Sequence, residues 1–371
     1  MKKILTVIGT RPEIIKLSVL IEKLDQHADH ILVHTGQNYD YELNEVFFKE
    51  LGLREPNYFL DSAGASPIQT IANVLSKIEP ILLAEKPDGM VVYGDTNSCL
   101  AVIAAKRLKI PVFHFEAGNR SFDQRVPEEL NHKVVDHLSD INFVLTEHAR
   151  RYLLAEGLPP DRVFKLGGHM TEVIEKHYQQ IMASTILSDL GLQKNRYFIV
   201  SLHREENVDD EENLRSLIGV LDAVAQRYKV PVLVSCHPRT KARLQGFSIN
   251  VDNDLVKMLR PFGFFDYLKL QLDSKCVISD SGTIFEEASI LRFPAVTVRN
   301  AHERPEGVDA GSVMLCDLDP DDVIAAVEVV LSGIDENYEI QDYVCPNVSS
   351  RAIRAILGYT SFVDKSVWKK Y

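Results

Sequence analysis

Cys276-Val277-Ile278-Ser279-Asp280-Ser281-Gly282-Thr283-Ile284-Phe285-Glu286-Glu287-Ala288-Ser289-Ile290-Leu291 is the stretch that decides the fold class. Cys276-Val277-Ile278 is a short apolar run that fits a buried parallel strand, and Ala288-Ser289-Ile290-Leu291 reads as helix. A hydroxyl-rich turn with one glycine lies between them, so a helix opens at the carboxyl end of a strand. A helix N-terminus offers unpaired N–H groups and the positive end of a dipole, which suits a phosphate. Ser281 and Thr283 add hydroxyls, and Gly282 lets a ligand approach the backbone. The glutamate pair that follows repels phosphate, so a carboxylate kept there suits a sugar hydroxyl. A nucleotide-sugar is the first ligand to consider, while Glu286 fits the plainer task of complementing the helix dipole.

The same strand-turn-helix alternation extends in both directions. Strands are predicted at Ile4–Ile8, His30–His34, Gly89–Tyr93, Val112–Phe115 and Ile141–Leu145, with helical patterns such as Pro12–Leu24 and Ser98–Arg107 between them. A pause at Gly167-Gly168 and a polar helix over Glu172–Ser184 precede a second series at Tyr197–Ser201, Val230–Ser235, Cys276–Ser279 and Ala295–Val298. Apolar strands separated by helices build parallel sheets covered on both faces. The expected class is α/β, with two Rossmann-like doubly wound domains facing a cleft, an N-terminal one over 1–170 and a C-terminal one over 171–349. A length of 371 residues agrees with two domains.

Composition narrows the function classes. A net charge of −12 argues against a nucleic-acid partner, because a phosphate backbone needs a basic face. No apolar run approaches the ~20 residues of a membrane span. The start Met1-Lys2-Lys3-Ile4-Leu5-Thr6-Val7-Ile8-Gly9 is too short for a signal peptide, has no cleavage site, and reads as a first strand. Cys99, Cys236, Cys276, Cys316 and Cys345 are scattered without metal-ligand spacing, which fits small core residues in a reducing cytoplasm. Neither half carries the G-x-G-x-x-G dinucleotide fingerprint: Gly9-Thr10-Arg11-Pro12-Glu13 stands in its place, which disfavours a nicotinamide enzyme.

The polar groups that could do chemistry sit just after predicted strands. Arg11 and Lys16 could face an anionic ligand, with Pro12 placed where a helix tolerates it. Asp95 follows the strand ending at Tyr93, where it or Thr96 could instead only cap a helix. Glu116 ends an apolar strand between Phe115 and Ala117, a costly place for an unpaired carboxylate and a suitable one for a general acid or base. Val126-Pro127-Glu128-Glu129 adds more acid. In the second half stand His203 and Arg204, then His237 and Arg239, then Ser281, and then Glu303-Arg304-Pro305-Glu306. Acids dominate the first half, and basic and hydroxyl groups the second. That division suggests acid/base chemistry on a group attached to a nucleotide.

At these residues the chain resembles the non-hydrolysing UDP-N-acetylglucosamine 2-epimerase family over nearly its whole length. The motifs are Gly9-Thr10-Arg11-Pro12-Glu13 with Lys16, Gly94-Asp95-Thr96, Glu116-Ala117-Gly118-Asn119-Arg120, Pro127-Glu128-Glu129, His203-Arg204-Glu205-Glu206-Asn207, Asp280-Ser281-Gly282 with Glu286-Glu287, and Glu303-Arg304-Pro305-Glu306. Each is weak alone; in this order they are specific. The resemblance implies a GT-B-like fold with the active site between the domains, and a C-terminal helix, about 350–371, returning to the first domain. It also implies a cytoplasmic homodimer that acts on a UDP-sugar without cofactor or metal. In the implied chemistry a base removes the C2 proton and UDP leaves from C1. The 2-acetamidoglycal stays bound, and UDP adds back as a proton reaches the other face. Asp95, Glu116 and Glu128 would be the acids and bases, and His203 would assist at the diphosphate. Arg11, Lys16, Arg120, Arg204, His237, Arg239, Ser281, Gly282, Thr283 and Arg304 would bind substrate, with Glu287 on the ribose and Tyr267 where the family has an aromatic residue near the uracil.

Three departures from the familiar members are informative. The loop Ser121-Phe122-Asp123-Gln124-Arg125-Val126 is short, His237 is followed by Pro238-Arg239-Thr240, and Asn38 stands where allosterically activated enzymes often have histidine. These variations resemble the branch that converts UDP-2-acetamido-2,6-dideoxy-L-talose to UDP-N-acetyl-L-fucosamine for capsule or O-antigen (lipopolysaccharide) synthesis. In that branch an apolar Phe122 would suit a sugar with no C6 hydroxyl. The alternatives are a UDP-N-acetylglucosamine 2-epimerase making UDP-N-acetylmannosamine and, more distantly, a GT-B glycosyltransferase.

Overall fold

Apolar strands buried on both faces and helices with an apolar stripe assemble into two parallel sheets. The computed structural model describes all residues except 38–40, 203, 237, 300–302, 334–338 and 371, and apart from the side chains of 41–45, 205, 206, 238 and 239. The chain divides into two units, Met1–Lys176 with Asp342–Tyr371, and His177–Gln341.

The first unit holds β1 (Lys3–Ile8), β2 (Asp29–His34), β3 (Tyr58–Phe59), β4 (Gly89–Tyr93), β5 (Val112–Phe115), β6 (Ile141–Val144) and β7 (Val163–Lys165). Their order is β3-β2-β1-β4-β5-β6-β7, and every pair is parallel. Alternate residues Leu5 and Val7, Ile31 and Val33, and Met90 and Val92 share a core with Val74, Ile78 and Leu82, which recur every fourth residue on the helix Pro67–Glu85. The strand order reverses between β1 and β4, the switch point where open α/β sheets place ligands. The β1 end there carries Gly9-Thr10, the β4 end Gly94-Asp95, and the adjacent β5 end Glu116.

The second unit holds β8 (Phe198–Ser201), β9 (Val232–Ser235), β10 (Val256–Leu259), β11 (Cys276–Ser279), β12 (Ala295–Val298) and β13 (Met314–Cys316), ordered β10-β9-β8-β11-β12-β13 and all parallel. Phe198 and Val200, Val232 and Val234, Cys276 and Ile278, and Val296 and Val298 face Leu214, Leu217, Leu221 and Val224 of the helix Glu211–Tyr228. Here the order reverses between β8 and β11, whose ends carry Arg204 and Asp280–Thr283.

The helix Val348–Ser366 belongs to the first unit, where it packs on the helix Arg11–His27. Its buried Val348, Ala352, Ile356, Thr360 and Val363 form one stripe. The re-entry is tied down by Thr171 Oγ1 donating to Tyr343 O (2.6 Å), by Lys165 Nζ on Asp342 Oδ1 (2.7 Å), and by Arg351 Nη2 donating to Leu166 O (2.6 Å). Gly167, at φ +92°, is required there, since a Cβ would lie 2.6 Å from Cys345 Cβ. All five cysteines are free. No described helix is long and apolar enough to cross a membrane.

The nine predicted strands are all present. The four found only in the structure, β3, β7, β10 and β13, are the four sheet edges.

Candidate functional site

In the first unit the chain leaves β5 through a turn with two left-handed residues, Glu116 at φ +62° and Gly118 at φ +81°. A Cβ on Gly118 would meet Ala149 O at 2.6 Å, so the second must be glycine. For Glu116 the conformation costs on the order of 1–3 kcal/mol, which surrounding bonds must offset. Ala117 N donates to Phe143 O (3.2 Å), and Gly118 N donates to both carboxylate oxygens of Asp136 (3.2 Å each). The turn presents the Glu116 carboxylate, 12% exposed, to Lys16 Nζ at 3.0 Å. Asn119 Nδ2 donates to its other oxygen (3.2 Å). Lys16 is only 3% exposed, which strengthens its pairing with Glu116. It also stands 5.4 Å from the Tyr93 ring centre. His169, which the sequence did not single out, is buried with its ring edge-on to Phe115 (5.0 Å) and Tyr93 (5.8 Å). Burial above all, with the Lys16 charge adding to it and Glu116 opposing, pushes its pKa down to about 3, so a neutral imidazole flanks the ion pair.

Asp95 follows β4 and meets His132 Nε2 at 3.1 Å. The capping task falls to its neighbour: Thr96 Oγ1 accepts from Ser98 N (3.2 Å) as the chain enters the turn Asn97–Ala101. Asn131 Nδ2 donates to Asp95 O (2.7 Å), so the helix Pro127–Leu138 grips this turn by backbone and side chain together. Glu13 joins the β1 and β4 ends. Its buried carboxylate accepts from Gly9 N, from Thr10 N (3.0 Å) and from the Thr96 hydroxyl. Burial raises it to about 7 although those hydrogen bonds oppose the rise.

The two acids of Pro127-Glu128-Glu129 separate. Glu129 is buried and holds the preceding loop, accepting from Ser121 N (2.7 Å), Ser121 Oγ (3.2 Å) and Phe122 N (3.3 Å) while pairing with Lys133 (2.9 Å). Glu128 stays half-buried in the first turn of the helix, and Phe122 lies 68% exposed with its ring edge-on to Tyr152. Arg11 is half-buried beside the Phe47 ring.

Two expected substrate ligands are buried beside carboxylates of their own unit. Arg120 is fully buried, with Nε and Nη2 donating to Glu156 (2.8 and 2.7 Å) and Nη1 to Asp136 Oδ2 (2.7 Å) and Asn119 O (2.8 Å). A guanidinium so engaged is a strut of the unit. Arg304 is likewise buried, 3.3 Å from Glu286 Oε1 and 4.0 Å from Glu306 Oε1, which also gives Glu286 a structural partner.

In the second unit the turn after β11 is built as a local hydroxyl cluster. Ser281 N donates to Ser279 Oγ (3.1 Å), Ser281 Oγ lies 3.1 Å from Thr283 Oγ1, and the helix Ile284–Leu291 follows. A Cβ on Gly282 would meet nothing closer than Arg299 Nη1 at 3.8 Å, so the backbone there borders open space. Asp280 is buried and accepts from Arg204 N (2.9 Å) and Asn207 Nδ2 (3.0 Å), while Arg204 Nε donates to Asp280 O (3.1 Å). Glu287 is buried and accepts from Gln271 Nε2 (2.7 Å), one turn along from Tyr267 on the helix Phe264–Asp273. Burial raises the Tyr267 phenol, and nearby Glu287 adds to the rise. Glu287 and Tyr267, expected at ribose and uracil, thus stand together. His203 and His237 lie outside the described residues, as do the side chain of Arg239 and the whole of Asn38.

Among the described residues His114, His132 and Asp136 approach one another as a metal's ligands would. The His114 nitrogens are already on Asp136 Oδ1 (2.9 Å) and Gly94 O (2.8 Å), and Arg120 occupies the other Asp136 oxygen, so the cluster is a hydrogen-bond network.

A family profile described as UDP-N-acetylglucosamine 2-epimerase matches residues 22–357. A solved UDP-N-acetylglucosamine 2-epimerase from Rickettsia bellii is 47% identical, with a TM-score of 0.92 and 100% of both chains covered. The Methanocaldococcus jannaschii UDP-GlcNAc 2-epimerase, solved in complex with UDP-GlcNAc and UDP, is 35% identical with a TM-score of 0.90, covering 96% of this chain and 99% of that one. The chain is also 37% identical to the UDP-2,3-diacetamido-2,3-dideoxy-D-glucuronate 2-epimerase of Pseudomonas aeruginosa, over 84% of this chain and 88% of that protein.

Proposed function

The chain belongs to the UDP-N-acetylglucosamine 2-epimerase family and is a UDP-sugar 2-epimerase, and we propose that it converts UDP-2-acetamido-2,6-dideoxy-L-talose to UDP-N-acetyl-L-fucosamine. The observation that carries the chemistry is the Glu116 carboxylate, held on a left-handed turn and paired with Lys16 in a nearly dry place. A carboxylate there changes charge where few solvent dipoles can follow, the setting in which general acid/base groups are effective.

Chemically, a base takes the proton from C2 while the C1–O bond breaks, and its electron pair leaves with UDP. The bound 2-acetamidoglycal then receives a proton at C2 on the opposite face as UDP returns to C1. The C2 proton has no neighbouring carbonyl to acidify it, so charge stabilisation on the departing diphosphate is essential. Asp95, Glu116 and Glu128 supply the acid and base. His203 assists at the diphosphate, with Arg11, Lys16, Arg204, His237 and Arg239 adding positive charge near it. Ser281, Gly282 and Thr283 receive phosphate at the helix N-terminus, Glu287 takes the ribose hydroxyls, and Tyr267 packs near the uracil. The choice of a 6-deoxy sugar rests on Phe122, whose exposed ring beside Tyr152 offers a methyl group an apolar surface.

The names of two relatives favour a second reading, epimerisation of UDP-N-acetylglucosamine. Proton NMR of each UDP-sugar with enzyme in deuterium oxide separates the two. Deuterium at C2 and a new epimer are expected with the 6-deoxy-L-talose substrate; turnover of UDP-N-acetylglucosamine alone rejects the L-fucosamine assignment. On whichever sugar turns over, Glu116→Gln should lower kcat by roughly 10²–10⁴-fold, and a near-normal rate removes Glu116 from the mechanism.

A further inference from the structure

Asp136 lies fully buried on the helix Pro127–Leu138, yet it bonds directly to the turn that carries Glu116 and, through His114, reaches the turn that carries Asp95. Its two oxygens accept from Gly118 N (3.2 Å each), fixing the far side of the Glu116 turn. Oδ2 also takes Arg120 Nη1 (2.7 Å), whose same nitrogen reaches back to Asn119 O (2.8 Å). Oδ1 meets His114 Nδ1 (2.9 Å), and the other nitrogen of that ring donates to Gly94 O (2.8 Å), the carbonyl directly before Asp95. The same helix makes a second link: the turn before Asp136 supplies His132 to the Asp95 carboxylate (3.1 Å). Burial opposes charge on Asp136, but the His114 hydrogen bond and the charges of His114, His132 and Arg120 bring its carboxyl below the usual carboxylate range.

We propose that Asp136 is a positioning residue for the reaction, a single buried carboxylate that holds the Glu116 turn and, through His114, the Gly94-Asp95 turn in one fixed relation. The proposal rests on the assignment of Glu116 and Asp95 to the chemistry. It follows from the strain at Glu116. A left-handed glutamate relaxes unless the peptide beyond it is held, and Gly118 N has Asp136 as its acceptor. Where two acids must act on one carbon, a displacement of about 1 Å costs up to ~10²-fold in rate.

The test compares Asp136→Asn with Glu156→Gln in the full chain. The asparagine is isosteric but loses the charge that orders three donors. Glu156→Gln disturbs Arg120 from its other side without touching Gly118 or His114. Expected for Asp136→Asn is a fall in kcat of about 10–100-fold, with KM and the calorimetric affinity for UDP within about twofold of wild type. Glu156→Gln should turn over at the wild-type rate. A kcat for Asp136→Asn within about twofold of wild type, or equal losses in both variants in step with lost thermal stability, overturns the proposal. If Asp136→Asn does not fold, His114→Gln carries the test by breaking only the Gly94 arm: a lower kcat with unchanged UDP affinity supports it, and an unchanged kcat overturns it. Glu116→Gln assayed alongside keeps the two ideas apart. A normal rate there rejects the role of Glu116, whereas its loss beside a normal Asp136→Asn rejects the positioning role alone.

Discussion

Glu13 and Glu116 are both acids at strand ends, and their surroundings give them opposite characters. Glu116 has a lysine at 3.0 Å; Glu13 has only hydrogen-bond donors, with Asp95 close enough to disfavour its charge. The buried Glu13 carboxyl is therefore raised from 4.5 to about 7. Its folded value lies above its unfolded one, so its stabilising share is complete below pH 4.5 and is lost as pH rises through about 7. Relative to Glu13→Gln, the wild-type protein should lose on the order of 2–3 kcal/mol of stability between pH 4.5 and pH 8. Urea unfolding of both proteins at several pH values measures this, and parallel curves would show that Glu13 does not titrate in that range. Single residues were also where sequence reading was weakest. Asp95 and Glu116 were legible because a polar residue directly after an apolar run marks a strand end. His132, Asp136 and His169 were not, because helix faces and loops full of polar groups look alike until the partner is known. For Arg120 and Arg304 a charge beside a motif reads as a ligand, and what the sequence did not reveal is their burial against the carboxylates of Glu156, Asp136 and Glu286.

Among elements, interior strands were legible and edge strands were not, for one physical reason. β1, β4, β5, β8 and β11 are covered on both faces and must be apolar nearly throughout, so they stand out as runs. β3, β10 and β13 have half their residues or more in contact with solvent, and β3 is two residues long. Little apolar pattern survives at that length and exposure. The helix Val348–Ser366 shows what an apolar stripe contributes once it finds a partner. Ile356 is fully buried in the middle of that stripe. Ile356→Ala should destabilise the first unit by about 2–5 kcal/mol, read as a lower urea midpoint; a change below about 0.5 kcal/mol would mean the helix does not stabilise the unit.

The whole molecule is two α/β units, of which one is continuous in sequence and the other is not. The acids lie on the discontinuous unit and the hydroxyl turn on the continuous one. A fragment of residues 177–341 has its own complete sheet and core, and it should unfold cooperatively on its own. A fragment of residues 1–176 lacks the helix that covers one face of Arg11–His27 and should unfold without a cooperative transition. Circular dichroism against urea tests both, and two sharp transitions would show that segment 342–371 is dispensable for the first unit.

That discontinuity has a consequence for how the protein is born. A ribosome finishes residue 176 and must then make roughly 165 more before segment 342–371 begins to emerge. At about 5–20 residues per second this takes on the order of 10–30 s. Throughout that interval the face of Arg11–His27 on which the C-terminal helix packs has no cover, while the second unit can already fold. The nascent chain is therefore most sticky in the half that carries its acids, and a chain released early would keep the hydroxyl turn but never complete the Glu116 side.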